Sequence, residues 1–342
     1  MIIRMKKNAS EADIATVEKR IVQAGLKASI SRGESLVIIG VIGDITRLER
    51  DVIAEISGVE EITRVSRPYK LVSREFNPTD KQIKIRNVIV GKGNFTFIAG
   101  PCAVESRDQM LATARIVKKA QCQLLRGGAY KPRTNPYSFQ GLGEEGLQYL
   151  KEASVETGLP IVTEVTGADK IEPVMKYADV IQIGTRNMRS YDLLQQIGEH
   201  TSETQMPVLL KRGDNATIEE FLSAAEYIAK AGNENIILCL RGIRTFESGS
   251  FIRNTADIGI IPVLKKETGL PVIFDPSHAA GKRDIIPSYS LAAVAAGADG
   301  LIIETHYSPQ TARCDGEQSL SENELNETVS SCRNMLKFLR QS

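Results

Sequence analysis

The sequence has almost no net charge and no long apolar run, and both absences exclude classes of function. The 43 Lys and Arg residues balance 42 Asp and Glu residues, so the chain has no global field that attracts nucleic acid or an anionic membrane. No apolar run is long enough to span a membrane, and the N-terminal MIIRMKKNAS lacks the apolar core of a signal peptide. We therefore expect a cytoplasmic protein without a nucleic-acid or membrane partner.

Cysteine and histidine are also scarce. The five cysteines are an odd number and lack the short spacings of zinc-binding pairs, so a secreted disulfide framework is not expected. Cys122 and Cys239 lie in apolar runs, which predicts small core residues. With only three histidines and no G-x-S-x-G motif, serine-hydrolase chemistry is disfavoured, and the absence of G-x-x-x-x-G-K-[ST] disfavours a P-loop.

Residues 1–66 predict a small α/β domain. A capping-box-like Ser10 opens a helix over 10–24, and the apolar run SLVIIGVIG at 35–43 predicts a buried strand. A second helix over 45–57 and a strand over 60–65 complete a βαββαβ order, which is that of a ferredoxin-like domain.

The N-terminal domain lacks the residues that most functions need. Its first 68 residues contain no Phe, Tyr, Trp, His or Cys. That disfavours an RNA-recognition sheet, which uses stacking aromatics, and it disfavours catalysis. A small-ligand sensor, an interaction module or a packing domain remain open.

A polar, proline-containing linker over 67–82 is followed by a predicted β-hairpin and then by a repeating rhythm of strands and helices. Eight short β-rich runs alternate with amphipathic segments, and they end at Gly100, Arg126, Glu164, Gly184, Lys211, Arg241, Asp275 and Glu304. This pattern predicts a (β/α)8 TIM barrel over 83–342. A doubly wound open sheet is the alternative, although it normally has fewer strands.

Cations follow the predicted strands unusually often. They are Arg126, Lys131, Arg133, Arg186, Lys211, Arg212, Arg241 and Arg244. Each alone is typical of a solvated rim charge. Because the C-terminal strand ends of a barrel share one mouth, together they indicate substrates that carry phosphate and carboxylate groups.

A second set of strand-end residues has the chemistry of metal ligands. Cys102, His278, Glu304 and Asp315 follow the first, seventh and eighth strands, which are neighbours once the barrel closes. Sulfur, nitrogen and oxygen donors together suit a divalent transition metal with room for an exogenous ligand. Such an ion beside an anion site indicates Lewis-acid activation of a carbonyl.

Motifs along the whole chain resemble one enzyme family. They are FIAGPCAVES, LLRGGAYKPRT, VTEV, IGTRNM, VLLKRG, LCLRGIRTFE, FDPSHAAGKR, LIIETHYSP and DGEQSL. Together they are similar to 3-deoxy-D-arabino-heptulosonate 7-phosphate (DAHP) synthases of the short barrel type with an N-terminal ferredoxin-like regulatory domain. The resemblance implies metal-dependent condensation of phosphoenolpyruvate with erythrose 4-phosphate, the first step of the shikimate pathway toward chorismate and the aromatic amino acids.

The resemblance also implies a cofactor and regulation. The divalent ion is Mn²⁺ by first expectation, with Fe²⁺, Co²⁺, Zn²⁺ or Cd²⁺ as alternatives. Tyrosine or phenylalanine is the implied allosteric inhibitor, and the implied assembly is a homotetramer. The octulosonate 8-phosphate synthases, which use arabinose 5-phosphate, are the nearest rival, but they show K-A-N-R-S where this chain has K-P-R-T.

Site roles carry over from the resemblance by position. Cys102, His278, Glu304 and Asp315 are the implied metal ligands. Arg126, Lys131 and Lys211 are implied to bind phosphoenolpyruvate, and Arg186 and Arg241 are implied to bind its phosphate. Arg133 and Thr134 are implied for the phosphate of erythrose 4-phosphate, Asp275 for its hydroxyls, and His306 as a further substrate contact. Glu164 is implied in positioning either the reacting water or this network of charges, and Lys131 in moving a proton.

Two positions depart from the family. Asn135 stands where the family commonly has serine after K-P-R-T. Cys314 precedes the implied ligand Asp315 and is not recognised as a family feature. Its two interpretations are an ordinary loop residue and a thiol that forms a disulfide with Cys102 when the metal is lost.

Overall fold

The structure is a computed structural model that describes residues 1–33, 36–43, 45, 48–63, 67–132 and 135–341. The chain divides into two compact units. One contains Met1–Asp80 with Lys266–Gly269, and the other contains Lys81–Lys265 with Leu270–Ser342. Among the described residues, no helix combines the length and apolar character needed to cross a membrane.

The first unit has a four-stranded antiparallel sheet and two helices. In chain order its elements are β1 (Ile2–Met5), α1 (Glu11–Gln23), β2 (Lys27–Arg32), β3 (Val37–Ile42), α2 (Arg50–Ala54) and β4 (Val59–Thr63). The sheet order β2-β3-β1-β4 confirms the predicted ferredoxin-like domain. The side chain of Ser10 caps α1 in a capping box with Asp13, and α2 is shorter than the predicted 45–57.

The second unit begins with a hairpin and continues as a closed barrel. The hairpin strands are β5 (Ile83–Ile85) and β6 (Val88–Val90). The barrel strands are β7 (Thr96–Gly100), β8 (Leu124–Arg126), β9 (Ile161–Val165), β10 (Val180–Ile183), β11 (Val208–Lys211), β12 (Ile236–Leu240), β13 (Val272–Phe274) and β14 (Gly300–Glu304). All neighbours pair in parallel, and β14 closes the barrel on β7. Each predicted strand end lies within about one residue of the observed end, so the barrel prediction is confirmed.

Helices follow the barrel strands. They are α3 (Arg107–Lys119), α4 (Glu144–Thr157), α5 (Ile171–Met175), α6 (Tyr191–His200), α7 (Ile218–Lys230), α8 (Ile260–Glu267), α9 (Pro276–Ala280), α10 (Ile286–Ala295) and α11 (Glu322–Gln341). The short α9 begins directly after β13, and the side chain of Asp275 caps it by accepting from the backbone N–H of His278. This cap fixes two predicted site residues against each other.

Apolar side chains fill the barrel interior. Ile83, Ile85 and Val90 of the hairpin pack with interior residues from all eight barrel strands, among them Ile98 and Leu124. Cys239 belongs to the same fully buried cluster, as its apolar run predicts. Because this end of the barrel is filled by hydrophobic packing, the polar chemistry gathers at the other end, where the strands finish.

Candidate active site

A cavity of about 200 Å³ lies at the C-terminal ends of the barrel strands, and cations dominate its lining. The cations are Arg126, Lys131, Arg186, Lys211, Arg241, Arg244 and Arg253. Among the described residues, the lining carboxylates are those of Glu164, Asp214 and Asp315. Like charges at this density repel unless anions bind among them, so the cavity suits a substrate with more than one negative group.

Two buried arginines that line the cavity have N–H groups without a partner among the described residues. The Arg126 side chain is 5% exposed, and its Nη2 lies 3.1 Å from Glu304 Oε1. Arg241 donates from Nη1 to Asp214 Oδ1 at 2.6 Å. Within the described residues, no hydrogen-bond acceptor meets Nε and Nη1 of Arg126 or Nε of Arg241, although these atoms are buried. Because unpaired buried donors are costly, these groups indicate a missing anionic ligand.

Another part of the cavity wall requires a glycine at position 184, because a larger residue would collide with Glu164. Glu164 on β9 accepts a hydrogen bond from Gln182 at 3.3 Å. A Cβ atom on Gly184, which follows β10, would lie 1.9 Å from Glu164 Oε1. Glycine at this position therefore leaves the space that the Glu164 carboxylate occupies. Arg186 donates to the Pro132 carbonyl at 2.8 Å, which ties the rim of the cavity to the loop after β8.

The four predicted metal ligands meet beside this cavity. The donor atoms of His278, Glu304 and Asp315 all lie within 4.8 Å of one another. Cys102 joins them through Asp315, whose Oδ2 accepts from its Sγ at 3.1 Å. Glu304 is fully buried, and in the described part of the chain its Oε1 accepts no hydrogen bond, although Arg126 Nη2 lies 3.1 Å away as an ion-pair contact. A buried carboxylate oxygen beside imidazole, thiol and carboxylate donors fits a divalent cation.

Supporting residues orient these donors. Asp275 is fully buried; its Oδ2 lies 2.8 Å from His278 Nδ1 and accepts from Lys211 Nζ at 2.5 Å. Gln318 donates to Glu304 Oε2 at 2.5 Å. Such contacts fix the direction of a ligand and its protonation state. Burial lowers the pKa of His278 against the pull of Asp275 and Glu304, so the ring is neutral and can ligate.

Lys131 connects the two halves of the site. Its Nζ donates to the Cys102 carbonyl at 3.0 Å and to Cys102 Sγ at 3.2 Å. Burial lowers the pKa of Lys131, but Cys102, Cys314 and Glu164 outweigh burial and raise it above its usual range. Lys131 is therefore held as a cation.

The structure does not bring every predicted residue to the cavity. Arg212 turns away from it and forms a buried ion pair with Asp257 at 2.8 Å, so its place in the cation cluster was wrong. His306 is buried outside the cavity lining, with Nε2 3.6 Å from Glu105 Oε2. The predicted positions Arg133 and Thr134 lie outside the described residues.

Three site residues were missed by sequence reasoning. Arg253 and Asp214 line the cavity, and Gln318 supports Glu304. None of them ends a strand: Arg253 follows β12 by many residues in a long loop, where no periodic pattern marks it. The Asn135 side chain accepts from the backbone N–H of Tyr137 at 3.0 Å, which engages its oxygen in a local turn.

Comparison with known families agrees with this geometry. Residues 75–340 match the model of the DAHP synthetase I family. Residues 1–67 match the model of the DAHP synthase ferredoxin-like domain. The two matches together cover nearly the whole chain.

Individual relatives include both heptonate and octonate aldolases. A phospho-2-dehydro-3-deoxyheptonate aldolase of Thermotoga maritima is 50% identical over 320 residues, covering 94% of this chain and 93% of the relative. The crystal structure of a Thermotoga maritima protein described by the same name and as DAHP synthase has a TM-score of 0.78 at 47% identity, covering 99% of this chain and 97% of that one. A 2-dehydro-3-deoxyphosphooctonate aldolase of Syntrophobacter fumaroxidans is 32% identical over 249 residues, covering 68% of this chain and 83% of the relative.

Proposed function

Because the chain belongs to the DAHP synthetase I family and is an enzyme that forms carbon–carbon bonds, we propose that it condenses phosphoenolpyruvate with erythrose 4-phosphate in a metal-dependent reaction. The products are DAHP and inorganic phosphate, so the chain would commit carbon to the shikimate pathway. One observation carries this proposal: in the described part of the chain, a cavity lined by seven cations adjoins two overlapping groups of metal-type donors that contain the four predicted ligands.

The cation cavity is the proposed phosphoenolpyruvate site. The unpaired N–H groups of Arg126 and Arg241 are the donors that a carboxylate or phosphate would fill. Lys131 and Lys211 add point charges, and Arg186 adds a more exposed donor at the rim. Holding both substrates in this charged site would offset the repulsion between two anions and orient their reacting carbons.

Cys102, His278, Glu304 and Asp315 are the proposed ligands of a divalent ion, with Mn²⁺ as the first candidate. When bound, such an ion supplies Lewis-acid polarisation of the aldehyde oxygen. The residues fit it because Glu304 presents a buried oxygen that accepts no hydrogen bond from the described residues. Asp275 and Gln318 also hold His278 and Glu304 in place through contacts on the side away from the proposed ion. We assign Asp275 this positioning role in place of the sugar contact that the resemblance implies.

The proposed reaction forms one carbon–carbon bond, consumes one water and releases inorganic phosphate. C3 of phosphoenolpyruvate attacks the aldehyde carbon, one water adds at the resulting cationic C2, and the tetrahedral hemiketal phosphate collapses to a ketone and inorganic phosphate. Glu164 faces the cavity and is the proposed group that orients the water. Lys131, held as a cation, stabilises developing negative charge and is a poor base.

The ferredoxin-like domain is the proposed regulatory element, with tyrosine or phenylalanine as inhibitor. Support comes from its match to the DAHP synthase ferredoxin-like domain and from its lack of catalytic residue types. A truncated form of the Thermotoga maritima DAHP synthase, matching 80% of this chain, has a solved structure. Deleting residues 1–66 should therefore leave activity and abolish inhibition by either amino acid, and unchanged inhibition would refute this part. Tetrameric assembly and a cytoplasmic location stay predictions.

Phosphate release with two aldoses tests the substrate assignment. The enzyme is incubated with phosphoenolpyruvate and either erythrose 4-phosphate or arabinose 5-phosphate. We expect release with the four-carbon aldose and little with the five-carbon one. A preference for arabinose 5-phosphate would instead assign the chain to the octulosonate branch, to which it is less similar.

A further inference from the structure

We propose that Cys314 supplies a second thiolate to the metal site, which makes the site favour thiophilic ions such as Cd²⁺ and Zn²⁺ more strongly than the four predicted ligands alone would. This inference rests on the metal dependence proposed above. It adds a ligand that neither the motif pattern nor the resemblance assigns.

The first support is contact. Cys314 Sγ lies 2.8 Å from Cys102 Sγ, and both cysteines are free and buried. The donor atoms of Cys102, Cys314 and Asp315 all lie within 4.8 Å of one another. Asp315 also belongs to the cluster with His278 and Glu304, so the two donor clusters share one carboxylate and form a continuous group.

The second support is backbone conformation. Neighbouring residues in an extended segment point to opposite sides, so Cys314 and Asp315 would not both reach Cys102. Asp315 instead adopts the left-handed conformation, with φ 52° and ψ 35°, which aspartate tolerates better than most residues. With this turn the Asp315 carboxylate and the Cys314 thiol both contact Cys102 Sγ.

The third support is the unmet demand of the neighbouring donors. Glu304 is fully buried, and within the described ranges its Oε1 accepts no hydrogen bond, although Arg126 Nη2 lies 3.1 Å away as an ion-pair contact. A divalent cation held by Glu304 and Asp315 would also lie near the two sulfurs, because Asp315 belongs to both donor clusters. Thiolate ligands favour soft ions, whereas carboxylates and water suit Mn²⁺. A second sulfur therefore shifts metal preference without disturbing the harder donors.

Cadmium titration counts the thiolates directly. Metal-free, full-length enzyme kept reduced by a phosphine is titrated with Cd²⁺, and the sulfur-to-cadmium charge-transfer band is measured per bound ion. We expect Cys314→Ser to reduce the band to about half. Cd²⁺ binding should weaken at least about tenfold, because tenfold is the lower bound when an outer partner of a metal ligand is removed, and loss of a ligand should cost no less. Mn²⁺ affinity should change by less than roughly threefold, because that ion gains little from sulfur.

The matched control is Cys122→Ala, which removes a buried thiol that belongs to neither donor cluster and should leave the band unchanged. If Cys314→Ser does not fold, the wild-type band compared with that of Cys102→Ser gives the same count. An equal band and equal Cd²⁺ affinity in the wild type and Cys314→Ser overturn the second thiolate while the metal site stands. Failure of the wild type to bind either ion overturns the metal site itself.

Discussion

Gln318 donates a 2.5 Å hydrogen bond to Oε2 of Glu304. The other carboxylate oxygen, Oε1, lies 3.1 Å from Arg126 Nη2 and 3.6 Å from His278 Nε2. One oxygen is thus used to orient the group, and the other is presented to the site. The relationship makes Gln318 a positioning residue, since in the described part of the chain its side chain contacts the site through Glu304 and Arg253.

Gln318→Leu therefore should weaken metal binding without removing a ligand. We expect the Mn²⁺ dissociation constant to rise about 10- to 100-fold, the range found when outer partners of metal ligands are lost. Isothermal titration of the metal-free enzyme measures it. The control is Gln195→Leu on the exposed face of α6, which should bind like the wild type; equal affinity in both variants would contradict the role.

Arg126→Lys tests the anion site. Lysine keeps the charge but loses the planar fork, so the unpaired Nε and Nη1 donors disappear. We expect kcat/KM for phosphoenolpyruvate to fall about 10- to 100-fold, corresponding to the loss of a hydrogen bond to a charged group. KM for erythrose 4-phosphate should change much less. Steady-state kinetics with each substrate varied in turn measures both constants. An unchanged kcat/KM for phosphoenolpyruvate would show that Arg126 does not bind it.

Arg212→Met should have the opposite profile. Removing this side chain leaves the carboxylate of Asp257 buried without its cation, which costs about 3–5 kcal/mol in comparable buried pairs. We expect a large loss of thermal stability with little change in KM for phosphoenolpyruvate in the folded enzyme. Denaturant unfolding and kinetics on the same preparation separate the two effects, and a raised KM at unchanged stability would return Arg212 to the substrate site.

Gly184→Ala should displace Glu164. The backbone of Gly184 has φ −71°, which alanine adopts without strain, so the effect is steric and comes from the 1.9 Å approach to Glu164 Oε1. We expect kcat to fall, and we expect the change in the free energy of unfolding to be too small to explain that fall. Gly259→Ala, whose Cβ would meet nothing within 4 Å, is the control. Full activity in Gly184→Ala would show that the position of Glu164 does not matter.

Two buried thiols provide a pH-based check on the packing. Burial raises the pKa of Cys122 to about 12, opposed by Arg333, and burial raises that of Cys332 to about 12. A raised thiol pKa means less thiolate at a given pH, so iodoacetamide at about pH 8 should not alkylate either residue in the native enzyme. Peptide mass spectrometry before and after denaturation measures this. Rapid native labelling of either thiol would contradict the described core.

The fold and much of the site could be predicted because their signals are local. The runs ending at Gly100 and Glu304 combine apolar residues with a terminal glycine or charge, and these ends coincide with β7 and β14. Adjacent residues in a strand, however, point to opposite sides. Lys211 faces the cavity, while Arg212 points away from it to Asp257. The sequence alone does not show which of two adjacent cations faces the cavity, because that depends on the register of the strand.

Long loops account for what was missed. Arg253 reaches Asp315 at 3.3 Å only because the loop after β12 returns to the barrel mouth, with Asn254 donating to the His278 carbonyl. That path is set by tertiary hydrogen bonds and carries no periodic pattern. The contact between Cys314 and Cys102 was not missed, because the disulfide interpretation of Cys314 anticipated it. It joins residues at opposite ends of the barrel sequence, which meet where β14 pairs with β7.

DAHP formation by metal-stripped enzyme tests the central claim most directly. The enzyme is treated with a chelator, freed of it, and assayed for phosphate release from phosphoenolpyruvate plus erythrose 4-phosphate before and after Mn²⁺ is returned. The account predicts that activity is lost on stripping and restored by the ion, and that His278→Ala, which lacks a proposed ligand, is not restored. Undiminished phosphate release from enzyme shown by elemental analysis to be free of metal would contradict it.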